Sequence, residues 1–304
     1  MKKYSLLLFF LYSVSLLSSC RKDTFIDSNY PPNYQNVSTA KVKNYINRIY
    51  IDLLGREPLK IEMERDLIAL QTDSLSISSR LVLINSLQTD TTFREGDTSY
   101  QYAYYNRLYE TLKARLIEGV EDDYIYEQLG ISLTDLSAAQ SSGDSFQIAR
   151  ISDDIEEFYK VLSLKAELRL GNIDIADAHR IMLDNYVYET INMNTFNFVN
   201  STFDNLLFRF PTAQESTIGF NMIEYNMSGN ILGMNGNSRG DYLEILTQST
   251  AFREGVLIWT FLSLLQRDPT DSEVFIFMNE FGAKINYESL QRTIMSGDEY
   301  AQFN

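Results

Sequence analysis

The chain has 304 residues, of which 44% are hydrophobic and 22% are charged, and its net charge at pH 7 is -15. This length supports one large domain or two smaller ones, and the composition is ordinary for a globular fold. The acidic balance argues against a nucleic-acid partner, because nucleic-acid binding requires a basic surface.

The N-terminus has the layout of a secretory signal. Lys2 and Lys3 form a short positive region, Leu6 to Leu17 form an apolar run, and small residues lead to Cys20. This order of charge, apolar run and small residues is typical of a signal peptide. The run is also shorter than the roughly 20 residues that span a bilayer. We therefore predict a signal peptide at residues 1–19.

The stretch Leu17-Ser18-Ser19-Cys20 resembles the lipobox of bacterial lipoproteins. The resemblance implies that Cys20 carries acyl chains such as palmitate after cleavage and anchors the protein to a membrane. Several chains on one residue would hold firmly, since one chain alone binds only marginally. Cys20 is also the only cysteine, so no intramolecular disulfide can form.

The residues after Cys20 indicate which membrane, and which face of it, would hold the anchor. Arg21 resembles the second residue of lipoproteins that are released to the outer membrane. Surface-exported lipoproteins of the Bacteroidota often carry an acidic cluster at this point, whereas Arg21-Lys22-Asp23 supplies one acid. We expect an outer-membrane anchor, with the periplasmic face favoured over the cell surface.

The remaining chain shows helical periodicity in most of its length. Residues 20–38 contain Pro31 and Pro32 and few aliphatic residues, which predicts a flexible tether. Apolar residues then recur at spacings of three and four, which predicts helices. Ser38 or Thr39 is the expected first N-cap, Gly55 the first stop, and Pro58 a first-turn residue of the second helix. Further helices are expected at 62–70, 74–87, 100–117, 133–140, 145–170, 173–183 and 188–208.

Residues 228–240 hold four glycines and three asparagines and predict the longest unstructured loop of the domain. Strand-like alternation of convincing length is absent from the sequence, so we predict an all-α fold. We divide it into an N-terminal helical region, 39–200, and C-terminal helical repeats, 201–304.

A repeated motif is the strongest organisational signal. Three segments, 45–58, 205–215 and 259–273, end a helix with a Leu-Leu-x-Arg-x-Pro turn. In the last two, Thr212 with Glu215 and Thr270 with Glu273 predict capping boxes. The first copy has Gly55 where the others have phenylalanine or glutamine.

This motif resembles an "LLGR-x-P-x-x-x-E" helix turn found in extracytoplasmic bacterial families of unassigned activity. The resemblance covers 41–87 and 203–303, implies helix-turn-helix repeats, and implies no activity. Arg56, Arg209 and Arg267 end helices, where a cation can bind exposed carbonyls, and Asp52 is a candidate ion-pair partner for Arg56. The alternative is a ligand-binding surface.

Candidate chemistry is sparse. His179 is the only histidine, and a structural role is favoured over a general base. Paired acids such as Glu156-Glu157 do not face each other on a helix and predict solvated faces. We find no metal or cofactor motif and expect no catalytic residue, metal or cofactor. Tyr102, Tyr105 and Tyr109, with Arg56 and Arg267, form the candidate binding surface, although core packing of the tyrosines is the simpler interpretation.

These observations favour a non-enzymatic, membrane-anchored accessory lipoprotein that binds a protein partner in the cell envelope, since helical repeats usually form binding surfaces. Two alternatives remain. One is a glycan-binding lipoprotein for nutrient uptake, suggested by the tyrosines and by the loop at 228–240. The other is a glycan hydrolase, which requires two carboxylates facing each other in a cleft.

Overall fold

The computed structural model describes residues 34–192, 194–281 and 284–303. Within these ranges the chain forms fifteen α-helices and one two-stranded β-hairpin, which confirms the predicted all-α class. The predicted signal peptide, Cys20 and the first part of the tether lie outside the described residues. In the described part of the chain, no helix combines the length and apolar character needed to cross a bilayer.

The helices differ widely in length, from four to 26 residues. The first eight are α1 (Thr39–Leu54), α2 (Lys60–Thr72), α3 (Ile77–Thr89), α4 (Tyr100–Leu116), α5 (Asp122–Ser142), α6 (Ser145–Leu170), α7 (Ile175–Leu183) and α8 (Tyr186–Asn192). The others, with the hairpin strands, are α9 (Thr195–Leu207), α10 (Ala213–Tyr225), β1 (Gly229–Ile231), β2 (Met234–Gly236), α11 (Arg239–Gln248), α12 (Thr250–Leu265), α13 (Asp271–Phe281), α14 (Tyr287–Ser296) and α15 (Asp298–Ala301).

Helix α1 follows the sequence rules at both ends. The Ser38 hydroxyl accepts a hydrogen bond from the Lys41 amide at 3.3 Å, and Gly55 ends the helix with a φ of +73°. A glycine takes this left-handed conformation without steric cost. Ser38, the expected N-cap, thus caps α1, and Tyr34–Asn36 before it forms a short 3₁₀ turn.

Local capping explains where the predicted helix bounds are wrong. The expected helix 188–208 is two helices, because the Asn194 side chain accepts the Asn197 amide at 2.9 Å and starts α9. Ser76 caps α3 in the same way, so α3 begins at residue 77 rather than 74. Pro58 lies before α2 rather than in its first turn, since α2 begins at residue 60.

The segment 228–240 is not an unstructured loop. Gly229 to Gly236 forms an antiparallel hairpin whose turn residues, Leu232 and Gly233, both have positive φ. Such turns match the twist of paired strands. A Cβ atom added at Gly229 would lie 2.5 Å from a side-chain carbon of Ile218 on α10. The glycines of this segment thus permit close packing, and Ile231 is buried.

The two ends of the helical domain pack against each other. The described residues from Val37 onward form one compact unit. The Tyr45 hydroxyl of α1 donates to the Met295 carbonyl of α14 at 3.1 Å, and Arg48 donates to the Tyr300 carbonyl at 3.0 Å. The Tyr45 ring also packs edge-on against Phe303. The first and last repeated segments are therefore parts of one core.

Candidate binding surfaces

The repeated arginines form the same structure three times, which we call the arginine clasp. In the first copy, Arg56 binds Glu62 through two hydrogen bonds of 2.8 and 2.9 Å and also donates to the Glu57 carbonyl. One Glu62 oxygen in turn accepts the Leu59 amide at 2.7 Å. The clasp therefore joins the end of one helix to the start of the next.

The other two copies repeat this geometry atom for atom. Arg209 binds both oxygens of Glu215 at 2.9 and 2.6 Å, and Arg267 binds both oxygens of Glu273 at 2.9 and 2.7 Å. The Thr212 and Thr270 amides donate to these glutamates, and the threonine hydroxyls accept the glutamate amides. Both predicted capping boxes are confirmed.

Each clasp also holds an aromatic ring six residues before its arginine. The guanidinium carbon lies 5.0 to 5.5 Å from the centre of a ring: Tyr50 below Arg56, Phe203 below Arg209 and Phe261 below Arg267. A cation over an aromatic face is attractive. This spacing is visible in the sequence, although sequence reasoning did not use it.

The clasps differ in a second carboxylate. Asp97 binds Arg56 at 2.6 Å, and Glu299 binds Arg267 at 2.6 Å, whereas Arg209 has only Glu215 as an ion-pair partner among the described residues. The prediction that Asp52 pairs with Arg56 is wrong, because Asp52 accepts the Tyr300 hydroxyl at 2.7 Å and lies near Arg48. The clasp arginines are thus bound to the protein's own carboxylates.

The predicted tyrosine surface is divided by the fold. Tyr109 is fully buried and donates to Asp122 at 2.7 Å, so its ring is not accessible to a ligand. Tyr102 and Tyr105 are half-buried on α4. Arg169 lies over the Tyr102 ring at 4.9 Å, and the Tyr105 hydroxyl donates to Glu288 at 3.2 Å. These tyrosines connect α4 to its neighbouring helices.

His179 lies in the core on α7. Its ring is 2% exposed, bonds the Ile175 carbonyl at 2.7 Å and packs edge-on against Phe252 and Trp259. Burial lowers the pKa of His179 to about 3, so the ring is neutral at physiological pH. This environment fits the structural role that the sequence favours.

Sequence reasoning missed a helical arm formed by α5 and α6. Residues 130–150, which we call the arm tip, include the C-terminal part of α5, the turn at Gly143 and the first turns of α6. Ala139 is the only buried residue in this stretch. Three apolar side chains are widely exposed on it, with accessible fractions of 48% for Ile131, 43% for Leu133 and 78% for Phe146.

A charged cluster fixes the base of the arm. Asp122, the first residue of α5, accepts the Tyr109 hydroxyl and the Lys113 ammonium, each at 2.7 Å, and the Lys165 ammonium at 3.2 Å. Lys113 is 1% exposed, so its charge depends on these partners. The cluster connects α4, α5 and α6, and it orients the arm relative to the rest of the domain.

Two clefts open at the surface, one near α7 and one near α8 and α9. The larger, about 500 Å³, lies at the start of α7. Its charged side chains are already engaged: Arg180 with Asp177 at 3.0 Å, Lys284 with Asp174 at 3.6 Å, and Glu244 with the Gln248 amide at 2.7 Å. With Arg253, which also lines it, the cleft has three acids and three bases and is therefore balanced in charge.

The smaller cleft, about 370 Å³, lies between α8, α9 and the start of α11, and we call it the Arg239 cleft. Arg239 donates to the Leu183 carbonyl at 3.2 Å, lies 3.2 Å from Asp184 and forms an ion pair with Glu189. Its guanidinium also lies 4.9 Å from the Phe198 ring centre. These contacts hold the arginine in one position at the cleft wall.

The described residues contain no group of three or more histidine, cysteine, aspartate or glutamate side chains arranged to hold a metal ion. No known protein family, curated protein or solved structure matches the chain.

Proposed function

We propose that this protein is a non-enzymatic, lipid-anchored accessory lipoprotein of the bacterial envelope, and that it docks a protein partner through the arm tip. The observation that carries the proposal is the arm itself. A helical hairpin of 21 residues with one buried side chain contributes little to the core, yet it exposes Ile131, Leu133 and Phe146. Exposed apolar side chains on a segment that adds little to the core support an interaction site there.

The composition of the arm tip indicates what kind of partner it binds. Only three of its 21 residues are charged, namely Asp135, Asp144 and Arg150, in a protein whose net charge is -15. Most of the remainder are alanine, serine, glutamine and aliphatic residues. Contact with this surface depends on shape and apolar burial, so the partner is a protein with an apolar groove or helical face.

Crosslinking at defined positions tests this docking. A photo-crosslinking phenylalanine analogue would replace Leu133 or Phe146 in the native host. Phe93, which is also 78% exposed, is the matched control outside the arm. We expect one adduct of the same mass from both arm positions and none from Phe93. Identical adducts from all three positions, or none from the arm, would contradict the proposal.

The anchor has its own test. The lipobox-like sequence at Leu17–Cys20 supports it, and Cys20→Ala is the variant. We expect wild-type protein to incorporate labelled palmitate and to sediment with outer membranes, and the variant to do neither. Incorporation of label by Cys20→Ala would show that the anchor is elsewhere.

Glycan binding is the second candidate function, and the Arg239 cleft is the observation that favours it. Tyr186, Phe198 and Ile223 form apolar walls, while Thr190 and Asn194 supply hydroxyl and amide groups. Ligand pockets combine apolar walls with a few polar groups in this way. The hydrolase alternative has less support, because Asp184 and Glu189 both bind Arg239.

A further inference from the structure

The walls of the Arg239 cleft offer two kinds of contact to a ligand. The Tyr186 ring is 41% exposed at the rim and packs edge-on against Phe158, which holds it in place. Phe198 forms the floor and is 5% exposed. Thr190, Asn194 and Thr195 line the same cleft. An exposed, supported ring beside hydroxyl and amide groups suits the flat face and the hydroxyls of a sugar ring.

The ion pairs of Arg239 leave a hydrogen-bond acceptor at the cleft. Arg239 approaches one oxygen of each carboxylate, namely Oδ1 of Asp184 and Oε1 of Glu189. The side chains of these acids are 37% and 49% exposed, respectively. Glu189 lines the cleft, so its second oxygen can accept a hydrogen bond from a ligand there, and a charged donor would form the stronger bond.

The charge around the cleft favours a cationic donor. Two further carboxylates, Asp154 and Glu157 on α6, lie close enough to Arg239 to interact with it. Arg150 also interacts with Asp154 and Lys160 with Glu157, so four carboxylates share three cations in this region. Burial and the neighbouring Asp184 raise the pKa of Glu157 to about 7. A positive group in the cleft would offset this excess of negative charge.

We propose that the Arg239 cleft binds an amino sugar with a free amine. The amine donates to the second oxygen of Glu189, the sugar face packs on Tyr186, and the hydroxyls bond Thr190 and Asn194. This assignment deepens the second candidate function and is independent of the arm. The expected ligand has a hydroxylated ring that packs on the aromatic wall and a primary ammonium that binds the carboxylate.

Calorimetric titration of the full chain at pH 7.5 tests the assignment with three trisaccharides of β-1,4-linked sugars: glucosamine, N-acetylglucosamine and glucose. We expect the glucosamine trimer to bind with a Kd below about 1 mM. The acetylated and neutral trimers should bind at least tenfold more weakly, because they lack the cation. Equal binding of all three trimers would retain glycan binding and overturn the amine assignment, and no binding of any trimer would overturn both.

Two variants locate the site. Tyr186→Ala and Glu189→Gln should each weaken binding of the glucosamine trimer at least tenfold. The matched control is Tyr126→Ala, a tyrosine that is 57% exposed on α5, away from the cleft, and it should bind like wild type. Thermal melting of each variant checks the fold, since both altered side chains are partly exposed. Unchanged binding by the two cleft variants would refute the assignment.

Discussion

The three arginine clasps permit a graded test of what a buried ion pair contributes to stability. The substitution is glutamate to glutamine at Glu62, Glu215 and Glu273, one at a time. Glutamine keeps an oxygen for the cap amide, but it loses the charge and presents an NH₂ group to the arginine. The three glutamate side chains are 5%, 17% and 29% exposed, respectively. The free-energy cost should follow that order.

The expected magnitudes follow from burial and from the remaining partners. Glu62→Gln should cost about 3 kcal/mol, the lower end for breaking a buried pair, because Arg56 keeps Asp97. Glu215→Gln should cost about 1–2 kcal/mol, as expected for a half-buried charged hydrogen bond that no second acid replaces. Glu273→Gln should cost less than about 1 kcal/mol, because Arg267 keeps Glu299 and the pair is more exposed.

Thermal unfolding followed by circular dichroism is the assay. In a domain of this size, 1 kcal/mol corresponds to a change in Tm of about 2–4 °C. Glu62→Gln should therefore lower the Tm by about 6–12 °C and Glu273→Gln by no more than about 4 °C. Glu64→Gln is the control on the same helix, since that side chain is 62% exposed. A cost at Glu273 equal to that at Glu62 would refute burial as the determinant.

The remaining predictions concern packing, pH and the arm. Gly255→Ala should destabilise the domain by roughly 3 kcal/mol or more, because an added Cβ would lie 1.9 Å from the Leu206 carbonyl oxygen. A Cβ added at Gly130 meets no atom within 4 Å, so Gly130→Ala should stabilise α5 by about 1 kcal/mol. Thermal melts compare the two variants. Glu157→Gln should raise the Tm at pH 8 but not at pH 4.5. The pKa of Glu157 is about 7 in the folded state and 4.5 in the unfolded state, so its ionisation destabilises the folded state as pH rises through that range. Equal shifts in Tm at both pH values would contradict this. Asp122→Asn should lower the free energy of unfolding by about 2–3 kcal/mol and speed hydrogen exchange across the arm tip. The reason is that the buried Lys113 keeps only Glu110, an exposed acid, as its partner. Unchanged exchange would show that the cluster does not orient the arm.

The repeat could be predicted from the sequence, and its arrangement could not. The Leu-Leu-x-Arg-x-Pro spacing and the threonine caps are local signals, and the structure bears them out at Thr212 and Thr270. The partner of Arg56 is six residues away across a turn, beyond the helical i+4 spacing that suggested Asp52. Asp97 and Glu299 lie still further along the chain, so only the fold brings them to the clasps.

Phe208 and Gln266 show how tertiary packing can replace a local signal. Both hold the left-handed position that glycine holds in the first copy, with φ of +52° and +57°. This conformation costs a non-glycine residue roughly 1 kcal/mol or more. The same clasp follows in all three copies, so its hydrogen bonds offset the backbone cost. The motif therefore does not require the glycine, whereas it has the arginine and the glutamate in all three copies.

The candidate surfaces lie mostly where the sequence shows no repeat. The motif covers residues 41–87 and 203–303, and its recurring arginines are bound by acids of the same chain. The arm tip and much of the Arg239 cleft come from the segment between these ranges, which includes Tyr186 and Glu189. A repeated residue has a structural role that recurs along the chain. Here that role is to join the end of one helix to the start of the next. A docking surface or ligand cleft is needed once, so the unrepeated segment is where binding residues are expected, and there the sequence offers no second copy for comparison.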